Sequence, residues 1–227
     1  MKVENGPSIL LFGGYPGSGK TTQIGLLSQT TETAVLSAGN LLRQETGKGT
    51  KLGQVFLEYS SKGIRAPDHV VCGILAPHIR LLLDRGGRGF LSDGFPKSVP
   101  QLTFLEDLCA SRVAGMIYLD APEEILIGRA VARGHCENCG PVPGTVDPCV
   151  TCGSAVSVRY DDDAETVRNR LNSYAQGNQE VVEALKLRGT FVRVDATRGV
   201  SAVSESVGAA YRQLTDRGSE PTSAGAE

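Results

Sequence analysis

The chain has 227 residues, 40% of them hydrophobic, which is enough to bury a full core in one main domain. Its formal net charge of -2 argues against a protein whose main task is to coat nucleic acid. No apolar run approaches the roughly 20 residues that cross a bilayer, and residues 1–7 do not resemble a signal peptide. We therefore expect a cytoplasmic monomer without nucleic-acid or membrane partners, and cysteines that are reduced or metal-bound.

The most informative motif follows the first apolar run, residues 9–12. Residues 14–22 contain the phosphate-loop pattern G-x-x-x-x-G-K-[ST] and lead into a helix-compatible segment. Glycines let backbone N–H groups turn toward a phosphate, and the start of the following helix adds partial positive charge. Lys20 is expected to reach the β- and γ-phosphates, and the Thr21 hydroxyl to ligate Mg²⁺. The residues predicted to bind a nucleoside triphosphate here are Gly17, Ser18, Gly19, Lys20, Thr21 and Thr22.

Five apolar segments alternate with helical patterns along the chain. The strands are predicted over residues 9–12, 33–36, 90–93, 116–120 and 190–195. Strands that alternate with helices form a parallel sheet covered by helices on both faces, so we expect a P-loop NTPase-like α/β fold with five parallel strands. Ligands of such sheets bind at the carboxyl ends of the strands, where Asp93 and Asp120 are predicted to lie.

Two insertions interrupt this alternation. The first, residues 37–68, is expected to bring Arg43 close to an enclosed ligand, and the second, residues 134–160, carries four cysteines. The other segments are assigned to a core domain and to a polar, disordered tail: residues 1–36, 69–133 and 161–214 for the core, and 215–227 for the tail. On the helix before the second insertion, Arg129 and Arg133 are spaced i, i+4 and are expected on one face.

The four cysteines of the second insertion form two C-x-x-C-G units, nine residues apart. They are Cys136, Cys139, Cys149 and Cys152. Each unit can present two thiolates from one tight turn, and two such turns complete a tetrahedral zinc site, with disulfides as the alternative. His135 is interpreted as a solvated turn residue because four thiolates already fill the site. Cys72 and Cys109 are isolated and are interpreted as core residues.

Several ordered motifs resemble those of the adenylate kinase family of nucleoside monophosphate kinases, across residues 7–214. The motifs are the phosphate loop and residues 37–43, 63–68, 93–97 with Gln101, 128–133, 159–162, 168–171 and 194–197. The resemblance implies reversible transfer of the γ-phosphoryl group of ATP to a nucleoside monophosphate, with AMP favoured and ADP as the product. It also implies a monophosphate-binding insertion and a mobile lid that carries structural zinc in some members.

The resemblance implies roles for individual residues as well. Monophosphate contacts are implied for Ser37, Arg43, Gly94, Lys97, Gln101, Arg159 and Arg170, and triphosphate contacts outside the loop for Arg129 and Arg198. The implied catalytic residues are Lys20, Asp93, Arg129, Arg133, Arg159 and Arg170, with Asp93 holding Mg²⁺ through water. Such a set of cations suits the reaction, because the acceptor phosphate is already anionic at neutral pH and needs charge neutralisation rather than a base.

Three positions depart from the family's usual pattern and leave the acceptor open. Ala38 stands where threonine is common, Asn40 where aspartate is common, and Lys97 where arginine is common. Gln101 can both donate and accept, as an adenine edge requires, but its amide could flip to suit another base. The alternatives are a kinase for UMP, CMP or a non-nucleotide hydroxyl, and a nucleotide sensor or assembly factor of low turnover. The lid is also shorter than is usual for zinc-bearing members.

Overall fold

The computed structural model describes residues 8–62, 64–84, 89–136, 140–143, 145, 147–150, 152–158 and 164–216. The strands among them are β1 (Ser8–Gly14), β2 (Ala34–Ser37), β3 (Gly89–Asp93), β4 (Val113–Asp120), β5 (Arg133–Cys136), β6 (Gly140–Pro143), β7 (Val156–Ser157) and β8 (Phe191–Asp195). The helices are α1 (Lys20–Thr31), α2 (Ala38–Gly47), α3 (Lys51–Ser60), α4 (Asp68–Asp84), α5 (Val99–Cys109), α6 (Glu123–Val131), α7 (Ala164–Leu187) and α8 (Val200–Asp216).

Strand β1 is the centre of a five-stranded sheet with the order β2-β3-β1-β4-β8, in which every adjacent pair is parallel. The predicted five-stranded parallel sheet is therefore confirmed. The largest boundary difference is at β4, which begins at Val113 rather than at residue 116. Small residues at its start weaken the apolar signal there, and one of them is required: a Cβ at Gly115 would lie 2.5 Å from the carbonyl oxygen of Thr190.

Both faces of the sheet are buried, as the continuous apolar run of β1 requires. Alternate residues of this strand belong to two different clusters: Ile9 and Leu11 pack on one face, and Leu10 and Phe12 on the other. The first face is covered by α4, α5 and the second half of α7, and the opposite face by α1, α6, α8 and the first half of α7. Cys72 and Cys109 lie in the first cluster, which confirms them as core residues.

The two insertions contain their own secondary structure. Residues 37–68 hold α2 and α3, which contact each other and α4. The start of α3 is capped by Thr50, whose hydroxyl accepts a hydrogen bond from the Gly53 N–H at 3.1 Å. In the second insertion, β5, β6 and β7 form a separate antiparallel sheet with the order β6-β5-β7.

Three predictions at these boundaries are wrong. Arg129 and Arg133 do not share a helix face, because α6 ends at Val131 and Arg133 opens β5, where it pairs with Pro143. Gly134 disfavours helix at this point, so pairing with β6 decides the local structure. His135 is a half-buried residue of β5 rather than a solvated turn residue. Helix α8 also runs to Asp216, past the predicted start of the tail, whereas residues 217–227 lie outside the described residues.

No helix in the described part of the chain is long and apolar enough to cross a membrane.

The buried face of α5 offers a test of the core. Leu105 is fully buried, and Leu105→Ala should lower the free energy of unfolding by about 2–5 kcal/mol because it leaves a cavity. Leu187 is 91% exposed, so the matched change Leu187→Ala should stay within about 0.5 kcal/mol of the wild type. Urea unfolding followed by circular dichroism measures both. Equal losses in the two variants would contradict the packing described for α5.

Candidate active site

The phosphate loop connects the end of β1 to the start of α1, in the strand, loop and helix order that the motif requires. The Ser18 N–H donates to the Tyr15 carbonyl at 3.1 Å and closes the turn. Gly17 has a φ of 83°, and a Cβ there would overlap the carbonyl oxygen of Leu126 in α6. Only glycine combines this left-handed conformation with so close an approach of another backbone. Gly19 caps α1, also with positive φ.

The polar side chains of the loop contact its own backbone and each other. The Lys20 ammonium group donates to the carbonyls of Gly14 and Tyr15, the latter at 2.9 Å, so it lies inside the curve of the loop. Ser18 is buried beside it, and its hydroxyl is 3.5 Å from the ammonium nitrogen. Thr21 and Thr22 are exposed on the first turn of α1. A cation, a hydroxyl and backbone N–H groups at a helix start are the groups from which an anion site is built.

The register of the sheet brings further predicted residues to the same edge. Asp93 ends β3 and is paired with Phe12 of β1 on one side and with Ser37 of β2 on the other. The phosphate loop follows Phe12 closely in the chain, so Ser37, Asp93 and the loop share the carboxyl edge of the sheet. Asp120 also ends a strand at this edge, but its carboxylate forms an ion pair with the guanidinium group of Arg193.

The segment after Asp93 forms one wall of a narrow, partly open cleft. Gly94 and the exposed Lys97 line this cleft together with Asn178 of α7, so the helix that carries Arg170 borders it too. The Ser92 hydroxyl donates to the Phe95 carbonyl at 2.6 Å and holds the turn at the end of β3. The predicted residues Gly94 and Lys97 therefore lie beside the carboxyl edge of the sheet.

Gln101 lies just beyond Lys97, on the first turn of α5, and is 2% exposed. Its Oε1 atom accepts from the Lys97 backbone N–H at 2.8 Å, and its Nε2 atom donates to Oδ1 of Asp68 at 2.8 Å. The Ser98 hydroxyl donates to Oδ2 of the same aspartate at 2.9 Å. No role was assigned to Asp68 or Ser98 from the sequence, although Asp68 belongs to the motif at residues 63–68.

Two predicted cations are held by neighbouring groups. Arg43 is exposed on α2, and its guanidinium group donates to the side-chain oxygen of Asn40. Arg129, on α6, donates to the carbonyls of Ala196 and Thr197 at 2.6 and 3.3 Å. This contact joins α6 to the loop that follows β8. As a neutral side chain, Asn40 can orient Arg43 through a hydrogen bond but adds no negative charge of its own.

For the other predicted arginines, the structure describes fewer contacts. Arg198 follows β8, on the loop that Arg129 contacts, and donates to the Ser206 hydroxyl at 2.6 Å. Arg133 is half-buried at the start of β5. Arg159 lies outside the described residues, and Arg170 is described only as a position within α7.

Three of the four lid cysteines lie together. The sulfur atoms of Cys136, Cys149 and Cys152 are all within 4.8 Å of one another, with 3.4 Å between those of Cys136 and Cys152, and Cys139 lies outside the described residues. Tetrahedral zinc with Zn–S bonds of 2.3 Å separates its sulfur ligands by about 3.8 Å, so this cluster fits the ion. None of the described cysteines is joined in a disulfide.

The isolated cysteines differ chemically from the lid cysteines. Burial raises the pKa of the Cys72 thiol to about 11, with a smaller contribution from the negative charge of Asp68. Burial alone raises the pKa of the Cys109 thiol to about 11. Both side chains are therefore protonated at neutral pH and are poor nucleophiles and poor metal ligands.

A phosphate loop after the central strand of a parallel sheet, with a carboxylate at the end of the neighbouring strand, defines a phosphate-loop nucleotide-binding protein. A family model described as adenylate kinase matches residues 12–190. The chain belongs to the adenylate kinase family, so it is a phosphotransferase of the nucleoside monophosphate kinase class.

Named relatives agree with this assignment over almost their full length. The adenylate kinase of Archaeoglobus fulgidus is 33% identical, over 90% of this chain and 98% of that protein. The adenylate kinase of Methanosarcina acetivorans is 35% identical, over 88% and 96% of the two chains. That of Chloroherpeton thalassium is 33% identical, over 88% and 95%.

The loop geometry predicts a sharp difference between two glycines. Gly17→Ala forces a Cβ against the Leu126 carbonyl in a left-handed conformation, and strain of about 1–3 kcal/mol should weaken ATP binding at least about fivefold. Gly25→Ala, on α1, meets nothing within 4 Å and should leave ATP binding unchanged while stabilising the helix by about 0.5–1 kcal/mol. Isothermal titration with ATP and thermal unfolding measure both effects. Unchanged ATP affinity in Gly17→Ala would contradict the described loop.

Proposed function

We propose that this protein transfers the γ-phosphoryl group of ATP reversibly to AMP, giving two molecules of ADP. The observation that carries this proposal is the register of the sheet, which aligns Phe12, Asp93 and Ser37 side by side. The phosphate loop follows the first of these residues, the Gly94–Gln101 segment the second, and helix α2 the third. A triphosphate on the loop therefore faces an acceptor held between α2 and the start of α5.

Charge neutralisation and alignment are what this site must supply. The acceptor phosphate carries negative charge at neutral pH, so it attacks without a general base once the two anionic groups are held in line. We assign Lys20 to the triphosphate, and Arg43 and Lys97 to the acceptor phosphate. Arg129 and Arg198 bind ATP from the α6 side. Arg133, Arg159 and Arg170 close over the transferring group, where preorganised cations stabilise its charge.

A magnesium ion is implied with ATP, and the residues present suit it. The Thr21 hydroxyl and the Asp93 carboxylate supply hard oxygen ligands at the same edge of the sheet as the loop. When held by these residues, the ion would supply positive charge against the negative charge of the phosphates. Asp93 is held for this role by its pairing on both sides within the sheet.

The choice of AMP is supported by Gln101 and by the relatives, whose printed names are adenylate kinase. An amide presents a donor and an acceptor side by side, which matches the adenine edge. Lys97 preserves the positive charge but loses the bidentate contact of an arginine, so the acceptor phosphate is held by a point charge. The buried Ala38 offers no hydroxyl to the base.

The activity is tested by a coupled ADP assay with AMP, CMP, UMP, GMP and a non-nucleotide hydroxyl as acceptors. We expect AMP to give the highest kcat/KM. Lys20→Ala and Asp93→Ala should remain folded and lose at least about 100-fold in kcat, because each removes a preorganised contact to the phosphates or their metal. The control Asp107→Ala removes an exposed carboxylate of α5 and should behave as wild type. Near-wild-type activity of Asp93→Ala, or negligible turnover of the wild type, would contradict the proposal.

We also propose that Cys136, Cys139, Cys149 and Cys152 bind one structural zinc ion. The second insertion is rich in proline and glycine, and only a few of its described side chains are buried. Apolar burial therefore offsets little of the conformational entropy that the insertion loses when it becomes ordered. The free energy of metal binding, by contrast, adds directly to the free energy of folding. Four thiolates would close the coordination shell and leave no position for water or phosphate. The ion would stabilise the lid without entering the reaction.

Zinc binding and thiol accessibility test this site together. Protein purified without added zinc should contain about one equivalent, as a closed tetrathiolate site predicts. Iodoacetamide should modify none of the six cysteines in the native state, and four after chelation. Cys72 and Cys109 should resist until the protein is unfolded, since both are buried with a thiol pKa of about 11. Cys149→Ser should lose the metal and Cys109→Ala should keep it.

Two results would contradict the zinc proposal. The first is less than a tenth of an equivalent of zinc together with four alkylatable thiols in the native protein. The second is alkylation that requires a reductant, which would indicate disulfides in the lid instead.

We further propose that the enzyme is a cytoplasmic monomer that acts on small-molecule nucleotides, without nucleic-acid or membrane partners. The net charge of -2 supports the absence of a nucleic-acid role. The described cysteines are not joined in disulfides, which suits a reducing compartment.

A further inference from the structure

We propose that Asp68 is a positioning residue that sets the base specificity of the acceptor site. It holds the Gln101 amide in one orientation, so that the site accepts bases with an amino group beside a ring acceptor and rejects bases with the reverse pattern. Adenine and cytosine belong to the first group, and guanine and uracil to the second. This inference rests on the proposed function, in which Gln101 contacts the acceptor base.

Two different helices meet at this amide. Asp68 is the first residue of α4, and Gln101 lies on the first turn of α5. The Nε2 atom of Gln101 donates to Oδ1 of Asp68 at 2.8 Å. Its Oε1 atom accepts from the backbone N–H of Lys97, also at 2.8 Å. Both ends of the amide are therefore held by groups of the protein itself.

The chemistry of these two partners permits one orientation of the amide. An ionised carboxylate only accepts hydrogen bonds, and a backbone N–H only donates. A flipped amide would turn its oxygen toward the carboxylate and its NH₂ group toward the N–H, which loses both hydrogen bonds and creates two repulsive contacts. Water cannot replace them, because Gln101 is only 2% exposed. A free amide could suit either class of base, whereas this amide is fixed.

The carboxylate is itself held in place on its second oxygen. The Ser98 hydroxyl donates to Oδ2 of Asp68 at 2.9 Å and accepts from the Gln101 backbone N–H at 3.3 Å. Ser98 is the N-cap of α5, so one carboxylate contacts both the cap of the helix and the amide on its first turn. Arg65 approaches Oδ1 at 3.7 Å, but the pair is partly exposed and contributes little.

After these two hydrogen bonds, the Gln101 amide can still donate one N–H from Nε2 and accept at one lone pair of Oε1. With the acceptor phosphate anchored, the base meets these two groups in a fixed order. Adenine and cytosine present an amino donor beside a ring-nitrogen acceptor, which matches the order. Guanine and uracil present a carbonyl beside a ring N–H, so two polar groups would be left unpaired on each side. Sites built to hydrogen-bond their substrate reject mismatched analogues at least about tenfold.

The experiment measures kcat/KM for AMP, CMP, UMP and GMP with full-length wild type, Asp68→Ala, Gln101→Ala and the double variant. We expect the wild type to prefer AMP and CMP over UMP and GMP at least about tenfold. Asp68→Ala should reduce this preference at least about fivefold, mainly through KM, and the double variant should match Gln101→Ala because both changes act through one amide. Asp107→Ala is the control and should keep the wild-type preference.

Thermal unfolding will detect any loss of stability in Asp68→Ala. A second substitution keeps the inference testable in that case. Asp68→Asn keeps the size of the side chain, and its amide can accept from or donate to either orientation of Gln101. It should therefore lose part of the preference, while Asp107→Asn should lose none.

The outcomes separate this inference from the proposed function. If both Asp68 variants keep the wild-type base preference while Gln101→Ala loses it, Asp68 is structural only and the inference is wrong. Unchanged preference in Gln101→Ala, or a wild type that prefers UMP or GMP, also overturns it, although phosphoryl transfer to monophosphates would stand. A wild type that transfers to no monophosphate overturns the proposed function and this inference with it.

Discussion

The parallel alignment of the five-stranded sheet is the constraint on which the rest of the protein depends. Parallel strands end at one edge, so the loop after β1, the acid at the end of β3 and the start of α2 become neighbours although they are far apart in the chain. The alignment holds because alternate residues of β1 pack into separate apolar clusters on the two faces. A register slip of one residue would exchange the two sets and disrupt both clusters.

On the proposed acceptor side, polar contacts are added to the apolar packing of the core. Asp68 connects the starts of α4 and α5, and the Asn40 side chain orients Arg43 without cancelling its charge. Asn40 thus serves as a neutral hydrogen-bond partner of Arg43 at a position where aspartate is common in the family. The structure offers no comparable account of Ala38, which is buried against the core.

The lid follows a different principle from the core. Its small antiparallel sheet lies outside the five-stranded sheet, and three cysteines gather at its strands and turns. The buried cysteines of α4 and α5, by contrast, are held as neutral thiols by their apolar surroundings. The same residue type thus serves packing in one part of the chain and forms a candidate metal site in another, and the local dielectric and the proximity of other thiols decide which.

The sequence by itself determined the strand and helix alternation, the phosphate loop and the family, because these depend on local periodicity, glycine spacing and ordered motifs. It also located the edge at which Asp93 and the loop meet, since parallel topology follows from the alternation, whereas the place of Ser37 beside Asp93 came from the structure. Only the tertiary structure decided the ends of elements whose pairing partners are distant, such as Arg133 and His135 on β5 rather than on a helix or turn. It alone revealed that Asp68 holds Gln101 across 33 positions. A hydrogen bond between two helix starts has no local signature, because its geometry depends on how the helices pack.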